Sequence, residues 1–510
     1  MLNLAVVLSG AVSLGAFEAG AVYELVLAEQ AGLRAGKNAL RVDVLVGSSA
    51  GAMTASQAAY CLQTGTDPRS LYTAWVDLAS LDRLMPRGEE TWRGSSFLSG
   101  RAVQELADQV FVPPGPNAGA PAVTWPIRLV VTLTSIEGAQ YYVTRRDQSR
   151  LPVWSYADAM SFRLEPQAYD PELWDRIKKA AIASGAFPVA LPPVPITRQP
   201  EDFIIQGSRK EDGEITLTYY DGGVINNRPF GLAVDAVLDL APPGGPVAPH
   251  TFVLIEPDPP ELRPQKPHQS SYDMVDVGLA AFTTAFRHDS LYQDFVNFVR
   301  VNDRLAIADE LTQAVARALA AAGPEAARLL HDELQPRLAA IGARAARTAG
   351  VDVQTWVNQA LVRSRRRVAM SVPSVQNQGS KMMESLAVMR LLVDMAAGLE
   401  NKEVFDASRV SPADPANELA GIFFGHFGGF LDRRFREHDF MLGRWYMNRW
   451  LREHGITYES DVSWPGDPPR GLAQVSWRTK VQCLWVVVRG LVLAGAQVWK
   501  RIRGLSGRWV

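Results

Sequence analysis

The stretch VDVLVGSSAG, residues 42–51, is the part of the sequence that decides the predicted fold. Its first five residues are a short β-branched run that favours a strand, and residues 52–63 are small, apolar and compatible with a helix. A similar unit precedes it, with an apolar run at residues 3–9, a turn at Gly10 and a helical pattern at Ala16–Ala28. Strands that alternate with helices predict a parallel α/β sheet.

Later segments divide the chain of 510 residues. Further strand candidates are Arg128–Thr134, Gln140–Thr144, Phe203–Gln206, Ile215–Tyr220 and Thr251–Glu256. A proline-rich break follows at Pro257–Pro267, and the strongest helical patterns come after it, at residues 314–349 and 381–399. We therefore predict a catalytic domain at residues 1–270, a helical region at 271–470 and a basic, tryptophan-containing tail at 471–510.

Composition excludes several classes of protein. A hydrophobic fraction of 47% and a net charge of -2 are those of an ordinary globular protein and give no reason to expect nucleic-acid binding. The two cysteines, Cys61 and Cys483, offer neither a disulfide framework nor metal-ligand spacing, which favours a reducing compartment. No basic residue precedes the first apolar run, so no cleaved signal peptide is expected. We predict a cytoplasmic protein.

The pattern Gly47-x-Ser49-x-Gly51 stands where the predicted strand meets the predicted helix. This context is typical of a nucleophile elbow, in which a sharp turn exposes a serine hydroxyl and glycines relieve crowding. The start of the helix would face an oxyanion formed beside that serine. The alternative is a small-residue turn that only packs the helix against the strand, and Ser48 is assigned to that structural role.

A serine nucleophile needs a base, which is commonly a histidine. The seven histidines of this chain are poorly placed; His250 alone lies in the predicted catalytic half beside a strand, and it stands at the start of that strand. Asp221 instead ends the strand candidate 215–220 and precedes Gly222 and Gly223. We therefore predict a Ser49–Asp221 dyad, with a simple Asp-Gly-Gly turn capped by the aspartate as the alternative.

Four segments, in order, resemble the motifs of patatin-like phospholipases. They are Leu8–Gly20, which is similar to the glycine-rich oxyanion loop and its helix; the elbow around Ser49; Ala183–Pro188 with Pro192 and Pro193; and Tyr220–Pro229, which carries an Asp-Gly-Gly motif. The resemblance covers about the first 300 residues. It implies a three-layer α/β/α fold and an enzyme that works without a metal or an organic cofactor.

The same resemblance implies the site residues. Ser49 would attack an acyl ester, Asp221 would take the proton, and water would hydrolyse the acyl-enzyme. Donors to the oxyanion would come from Gly10, Ala11, Val12 and Ala50, and the motif glycines are Gly47, Gly51, Gly222 and Gly223. The implied substrate is a phospholipid or another acyl lipid.

The first loop departs from the family pattern. Where most members carry a glycine run, Gly10 is followed here by Ala11, Val12, Ser13 and Leu14. Because β-branched Val12 disfavours a positive φ, we expect a differently shaped loop. This glycine-poor first loop resembles the first loops of a bacterial subgroup of the family. The region around residues 425–444 resembles a C-terminal region of the same subgroup. The aromatic residues of that region, Phe427, Phe430, Phe435 and Phe440, are spaced for helix packing, so we predict that they belong to the core.

The end of the chain is basic and aromatic. No acidic residue follows Asp467, whereas an apolar run at residues 481–498 is surrounded by cations and tryptophans. The cations are Arg470, Arg478, Lys480, Arg489, Lys500, Arg501, Arg503 and Arg508, and the tryptophans are Trp477, Trp485, Trp499 and Trp509. This pattern predicts peripheral attachment to the anionic inner face of a membrane, since Arg489 makes a full span costly. The alternative is a terminal helix docked on the core of the protein itself.

The predicted function is that of a serine lipid acyl hydrolase resembling phospholipase A or a lipase. Two alternatives stay open: a soluble esterase or thioesterase, and a non-catalytic patatin-fold protein that binds lipid or a partner. Residues 67–121, which are rich in proline and glycine, are predicted to form a lid or a pocket wall.

Overall fold

The computed structural model describes residues 1–37, 39–113, 122–144, 149–166, 169–199, 202–203, 208–209, 213–240, 248–259, 262, 290–349, 352–377, 380–397, 399 and 406–506. The strands are β1 Leu2–Leu8, β2 Leu40–Gly47, β3 Ile127–Thr144, β4 Arg150–Leu164, β5 Val194–Arg198, β6 Ser208–Arg209, β7 Ile215–Asp221, β8 Thr251–Ile255 and β9 Asp406–Val410. Most strand predictions are confirmed, and the two predicted between 128 and 144 form one strand. Of the candidate Phe203–Gln206, residues 204–206 lie outside the described residues.

Helices make up most of the remaining structure. The α-helices are α1 Gly15–Arg34, α2 Ala50–Thr64, α3 Arg69–Tyr72, α4 Leu81–Leu84, α5 Glu90–Arg93, α6 Gly100–Val110, α7 Pro171–Ser184, α8 Phe230–Leu238, α9 Ser290–Ala322, α10 Pro324–Ala349, α11 Val353–Ser371, α12 Ser380–Ala397, α13 Pro415–Glu418, α14 Arg433–Glu453 and α15 Trp477–Ser506. Short 3₁₀ turns that matter for the site lie at Val12–Leu14, Gly222–Val224 and Gly428–Leu431. The predicted α/β class with a largely helical far half is confirmed.

The sheet is mixed, not parallel throughout as predicted. Its strand order is β5-β7-β3-β2-β1-β8-β9, with β4 and β6 also paired to β3. The central pairs β8–β1, β1–β2 and β2–β3 are parallel, and helices connect β1 to β2 and β2 to β3. The pairs β3–β4, β3–β7 and β5–β7 are antiparallel.

The length of β3 determines where the other strands end. β4 pairs along nearly its whole length, so the remaining strands share its other edge. On that edge β2 pairs as far as Val131, opposite Gly47, and β7 begins its pairing at Leu133, opposite Asp221. Because β2 and β7 run towards each other, their carboxyl ends meet.

Two close helix contacts fix the C-terminal part against the first helix. A β-carbon on Gly20 of α1 would lie 1.9 Å from the Phe440 carbonyl oxygen, and one on Gly443 of α14 would lie 1.9 Å from the Phe17 carbonyl oxygen. Because each helix has a glycine where the other helix crosses it, the backbones of α1 and α14 pack in direct contact. Arg444 of α14 adds a buried ion pair to Glu24 of α1, with Nε 2.6 Å from Oε1.

By its contacts the chain forms two compact units. The first contains residues 1–233, 251–291 and 407–510, and the second contains residues 234–250 and 292–406. In the second unit, helices α9–α12 enclose apolar clusters of their own, around Leu386 and around Trp356. The helical prediction for this region is confirmed. The predicted boundary at 270/271 lies outside the described residues, and the predicted division at 470/471 stays a prediction.

Candidate active site

Ser49 lies in the sharp turn between β2 and α2. Its backbone has φ 53° and ψ -122°, a conformation that side chains rarely adopt outside such elbows. Glycines are required on both sides, because a β-carbon on Gly47 would lie 2.3 Å from the Gly51 carbonyl oxygen and one on Gly51 would lie 2.5 Å from the Ser9 carbonyl oxygen. The Ser49 N–H donates to Ser184 Oγ at 2.9 Å, which ties the turn to the end of α7.

Asp221 meets this serine at the junction of β2 and β7. Ser49 Oγ donates to Asp221 Oδ2 at 2.6 Å, and the Gly223 N–H donates to Asp221 Oδ1 at 2.7 Å. The backbone of Asp221 is fixed as well, since its carbonyl accepts from Thr134 Oγ1 at 2.9 Å. Gly222 must be glycine because a β-carbon there would lie 2.3 Å from Thr132. The structure thus brings the two predicted dyad residues into direct contact.

Burial changes the acidity of Asp221. Its removal from water raises the pKa of its carboxyl to about 7, while the hydrogen bonds from Ser49 and Gly223 act in the opposite direction. Near neutral pH such a carboxylate is far more basic than an ordinary aspartate and can accept a proton from a serine.

The first loop, Gly10–Leu14, is called the oxyanion loop below. Val12 has φ 54°, so it adopts the left-handed conformation that its β-branched side chain disfavours. Gly10, predicted as a donor, already uses its N–H in a bond to the Asn227 carbonyl at 3.1 Å, and it leaves the donor set. Within the described residues, the N–H groups of Ala11, Val12 and Ala50 have no hydrogen-bond partner.

An apolar cavity of about 160 Å³ adjoins Ser49. Its wall includes Val12, Met53, Ala74, Trp75, Leu78, Leu84, Leu98, Val103, Leu106, Val110, Phe111, Ile182, Phe187, Leu191, Phe427 and Phe430. Much of this wall comes from residues 67–113, so the pocket-wall prediction is confirmed for them, and residues 114–121 lie outside the described residues. Lys178 also lines the cavity, with its ammonium paired to Asp108 at 2.7 Å and to Asp175 at 2.9 Å.

Four residues of the site were not predicted to belong to it. Ser184 and Asn227 lie inside recognised motifs, but the bonds that Ser184 makes to Ser49 and that Asn227 makes to Gly10 join residues far apart in the chain. Phe427 and Phe430 were assigned to helix packing. That assignment holds for Phe435 and Phe440, which are buried, whereas Phe427 and Phe430 line the cavity because they precede α14.

The chain was compared with curated proteins, solved structures and protein-family models. No curated protein matches the chain. Among solved structures, VipD from Legionella pneumophila matches with 14% identity over 55% of this chain, with a TM-score of 0.22; the match spans about half of VipD, 52% of its length. Residues 369–451 match a family described as a protein of unknown function, DUF3376. The model of the patatin-like phospholipases, whose members are generally lipid acyl hydrolases, matches residues 6–234. Residues 6–234 of this chain therefore form a domain that matches the patatin-like phospholipase family.

Proposed function

We propose that this protein hydrolyses the acyl esters of membrane lipids with a Ser49–Asp221 dyad. The observation that carries the proposal is the 2.6 Å hydrogen bond from Ser49 Oγ to a buried carboxylate, beside an apolar cavity. A carboxylate with a pKa near 7 suits a general base at neutral pH, and the cavity suits a hydrocarbon chain better than a polar substrate.

The proposed reaction has two halves. Ser49 Oγ attacks the ester carbonyl carbon while Asp221 accepts the hydroxyl proton, and the N–H groups of Ala11, Val12 and Ala50 receive the negative oxygen. The tetrahedral intermediate then expels the alcohol, which takes the proton from Asp221. In the second half Asp221 accepts a proton from water, the hydroxide attacks the acyl-enzyme, and the fatty acid leaves as Ser49 regains its proton.

The test is chemical labelling followed by an acyl-release assay. We expect a fluorophosphonate probe to label the intact protein on the peptide that contains Ser49, as mapped by mass spectrometry. We also expect fatty-acid release from mixed phospholipid vesicles to exceed release from monomeric short-chain esters and thioesters. Preference for monomeric substrates would favour the esterase alternative. The absence of both labelling and fatty-acid release would contradict the proposal that the protein is a hydrolase.

We further propose that α15 attaches the enzyme to an anionic membrane surface. Over Trp477–Trp499 it is long and apolar enough to cross a membrane, and no other helix in the described part of the chain is. Arg489, however, is only 2% exposed, and its guanidinium donates to the carbonyl oxygens of Glu90, Thr91, Ser96 and Phe97. A helix held in this way lies along the protein, and these bonds support the docked-helix alternative for this face.

The opposite face of α15 is apolar and open to solvent. Its exposed side chains include Trp477, Val481, Leu484, Val488, Leu491, Val492, Val498 and Trp499. They recur at helical spacing, so they form one stripe, and Arg478 and Lys480 are exposed at its start. An apolar stripe beside cations, in a tail without carboxylates, complements an anionic lipid surface.

Two aspartates placed in the stripe should release the enzyme from vesicles. Each leucine buried in lipid contributes roughly 2 kcal/mol, so Leu484→Asp with Leu491→Asp should weaken sedimentation with anionic vesicles by well over tenfold. The matched control is Leu311→Asp with Leu329→Asp, two exposed leucines on helices of the second unit. Equal binding by both double variants would exclude α15 as the lipid-binding surface.

A further inference from the structure

We propose that a C-terminal loop holds the oxyanion loop in its catalytic shape. The residues concerned, Phe424–Phe430, lie within the match to the family of unknown function and are called the clamp loop below. This inference rests on the proposed function, because the shape of an oxyanion loop matters only if an oxyanion forms. It assigns a role to part of a region that had none.

Ser13 connects the two loops. Its N–H donates to the His426 carbonyl oxygen at 3.1 Å, its hydroxyl donates to the same oxygen, and the Gly429 N–H donates to Ser13 Oγ at 2.9 Å. Ser13 is buried, so water does not compete for these bonds. A β-carbon on Gly429 would lie 2.7 Å from Ser13 Oγ, which explains the glycine at this position.

Val12, which precedes Ser13, has a backbone conformation that must be stabilised by its surroundings. Val12 has φ 54°, and a β-branched residue keeps a left-handed conformation only where surrounding structure imposes it. A glycine would adopt the same φ unaided. In a loop that is poor in glycine, the bonds from the clamp loop to Ser13 therefore replace the conformational freedom that a glycine run supplies.

The clamp loop is itself fixed from two sides. His426 Nε2 lies 2.7 Å from Oδ2 of Asp258, which follows β8. On the other side, the buried Arg436 of α14 donates to the Gly429 carbonyl at 2.8 Å and to the Val76 carbonyl at 2.8 and 3.0 Å. α14 also packs directly against α1 at Gly20 and Gly443, and α1 directly follows the oxyanion loop. The helix that holds the clamp loop is therefore also packed against the helix that follows the oxyanion loop.

Ser13 is thus a positioning residue, and its effect should fall on turnover. With Ser13→Ala we expect kcat for vesicle lipids to fall on the order of a hundredfold, because a displaced donor is lost to the transition state. KM should stay within about twofold, since the acyl cavity is intact. Adding Val12→Gly should restore most of the loss, because glycine keeps the loop shape without the clamp.

The matched control is Ser56→Ala. Ser56 is equally buried, but among the described residues its hydroxyl bonds only within α2, to the Ala52 carbonyl, so its removal should leave kcat unchanged. Gly429→Ala is a second variant that disturbs the clamp while sparing Ser13, and it should lower kcat in the same way. Circular dichroism and thermal unfolding of each full-length variant check that it is folded.

Hydrogen exchange separates this inference from the proposed function. We expect the amides of residues 10–14 to exchange at least about tenfold faster in Ser13→Ala than in the wild type, whatever the activity. A folded Ser13→Ala variant with wild-type exchange in this segment would overturn the clamp, as would a loss of kcat that Val12→Gly leaves untouched. A wild type without acyl release would defeat the proposed function instead, while the exchange rates would still decide whether the clamp exists.

Discussion

Replacement of Ser49 by alanine is expected to abolish fluorophosphonate labelling and to lower acyl release by roughly four to six powers of ten. The hydroxyl is the group that would form the acyl-enzyme, and it donates a hydrogen bond to Asp221 Oδ2 at 2.6 Å. The backbone bond from Ser49 to Ser184 does not involve the side chain, so the elbow should persist in the variant. Measurements of labelling and fatty-acid release on the same preparation would quantify both effects.

Ser48→Ala is the matched control for this prediction. Ser48 is the neighbouring serine, is fully buried, and its hydroxyl makes no hydrogen bond to the described residues. Its loss should therefore leave labelling and turnover close to wild type. If labelling survived in Ser49→Ala and disappeared in Ser48→Ala, the nucleophile would have been assigned to the wrong serine.

The sequence was most informative where function and local structure coincide. The elbow could be predicted because the glycines that relieve its crowding stand within two residues of Ser49. Asp221 could be predicted from its place at the end of an apolar run before two glycines. The mixed sheet that brings Asp221 to Ser49 was not predicted, since β7 is antiparallel to β3 and its end meets the end of β2.

What the sequence did not reveal depends on contacts between distant residues. β4 was not predicted. It contains Pro152, which disfavours an interior strand, but in the described structure β4 pairs only with β3, at an edge where proline is tolerated. The positive φ of Val12 contradicts the local preference of valine, and it is explained by bonds between Ser13 and residues more than 400 positions away. Local propensity yields to tertiary contacts at such sites.

Asp221→Asn is the second substitution with a very large expected effect. Asparagine has the same shape and can still meet Ser49 and Gly223, but it cannot accept the proton of the serine. We expect a fall in kcat of about ten-thousandfold, the size seen when a catalytic carboxylate is replaced by an amide. Asp158→Asn is a useful comparison, since Asp158 is another buried carboxylate, paired with Arg198 at 2.6 Å and not part of the dyad. If that variant lost turnover as completely as Asp221→Asn, general damage to the fold would explain both.

The pH dependence tests the same residue by a second route. Because burial raises the pKa of Asp221 to about 7, kcat/KM of the wild type should rise with pH through about 7 and then level off, as the carboxylate becomes available. Stability should change in the opposite direction. Between about pH 4 and pH 7 the folded protein retains a proton that the unfolded chain has released, so the contribution of Asp221 to the free energy of unfolding falls as pH rises.

Asp221→Asn removes both dependences at once. Its residual activity should show no rise near pH 7, and at pH 8 it should unfold at a higher temperature than the wild type, with the difference vanishing below about pH 4. A base supplied by another residue would leave the activity profile unchanged in this variant. A general base of raised pKa lowers stability through its burial and is still required for turnover. The activity and stability profiles measured together therefore distinguish it from an aspartate that only caps the turn.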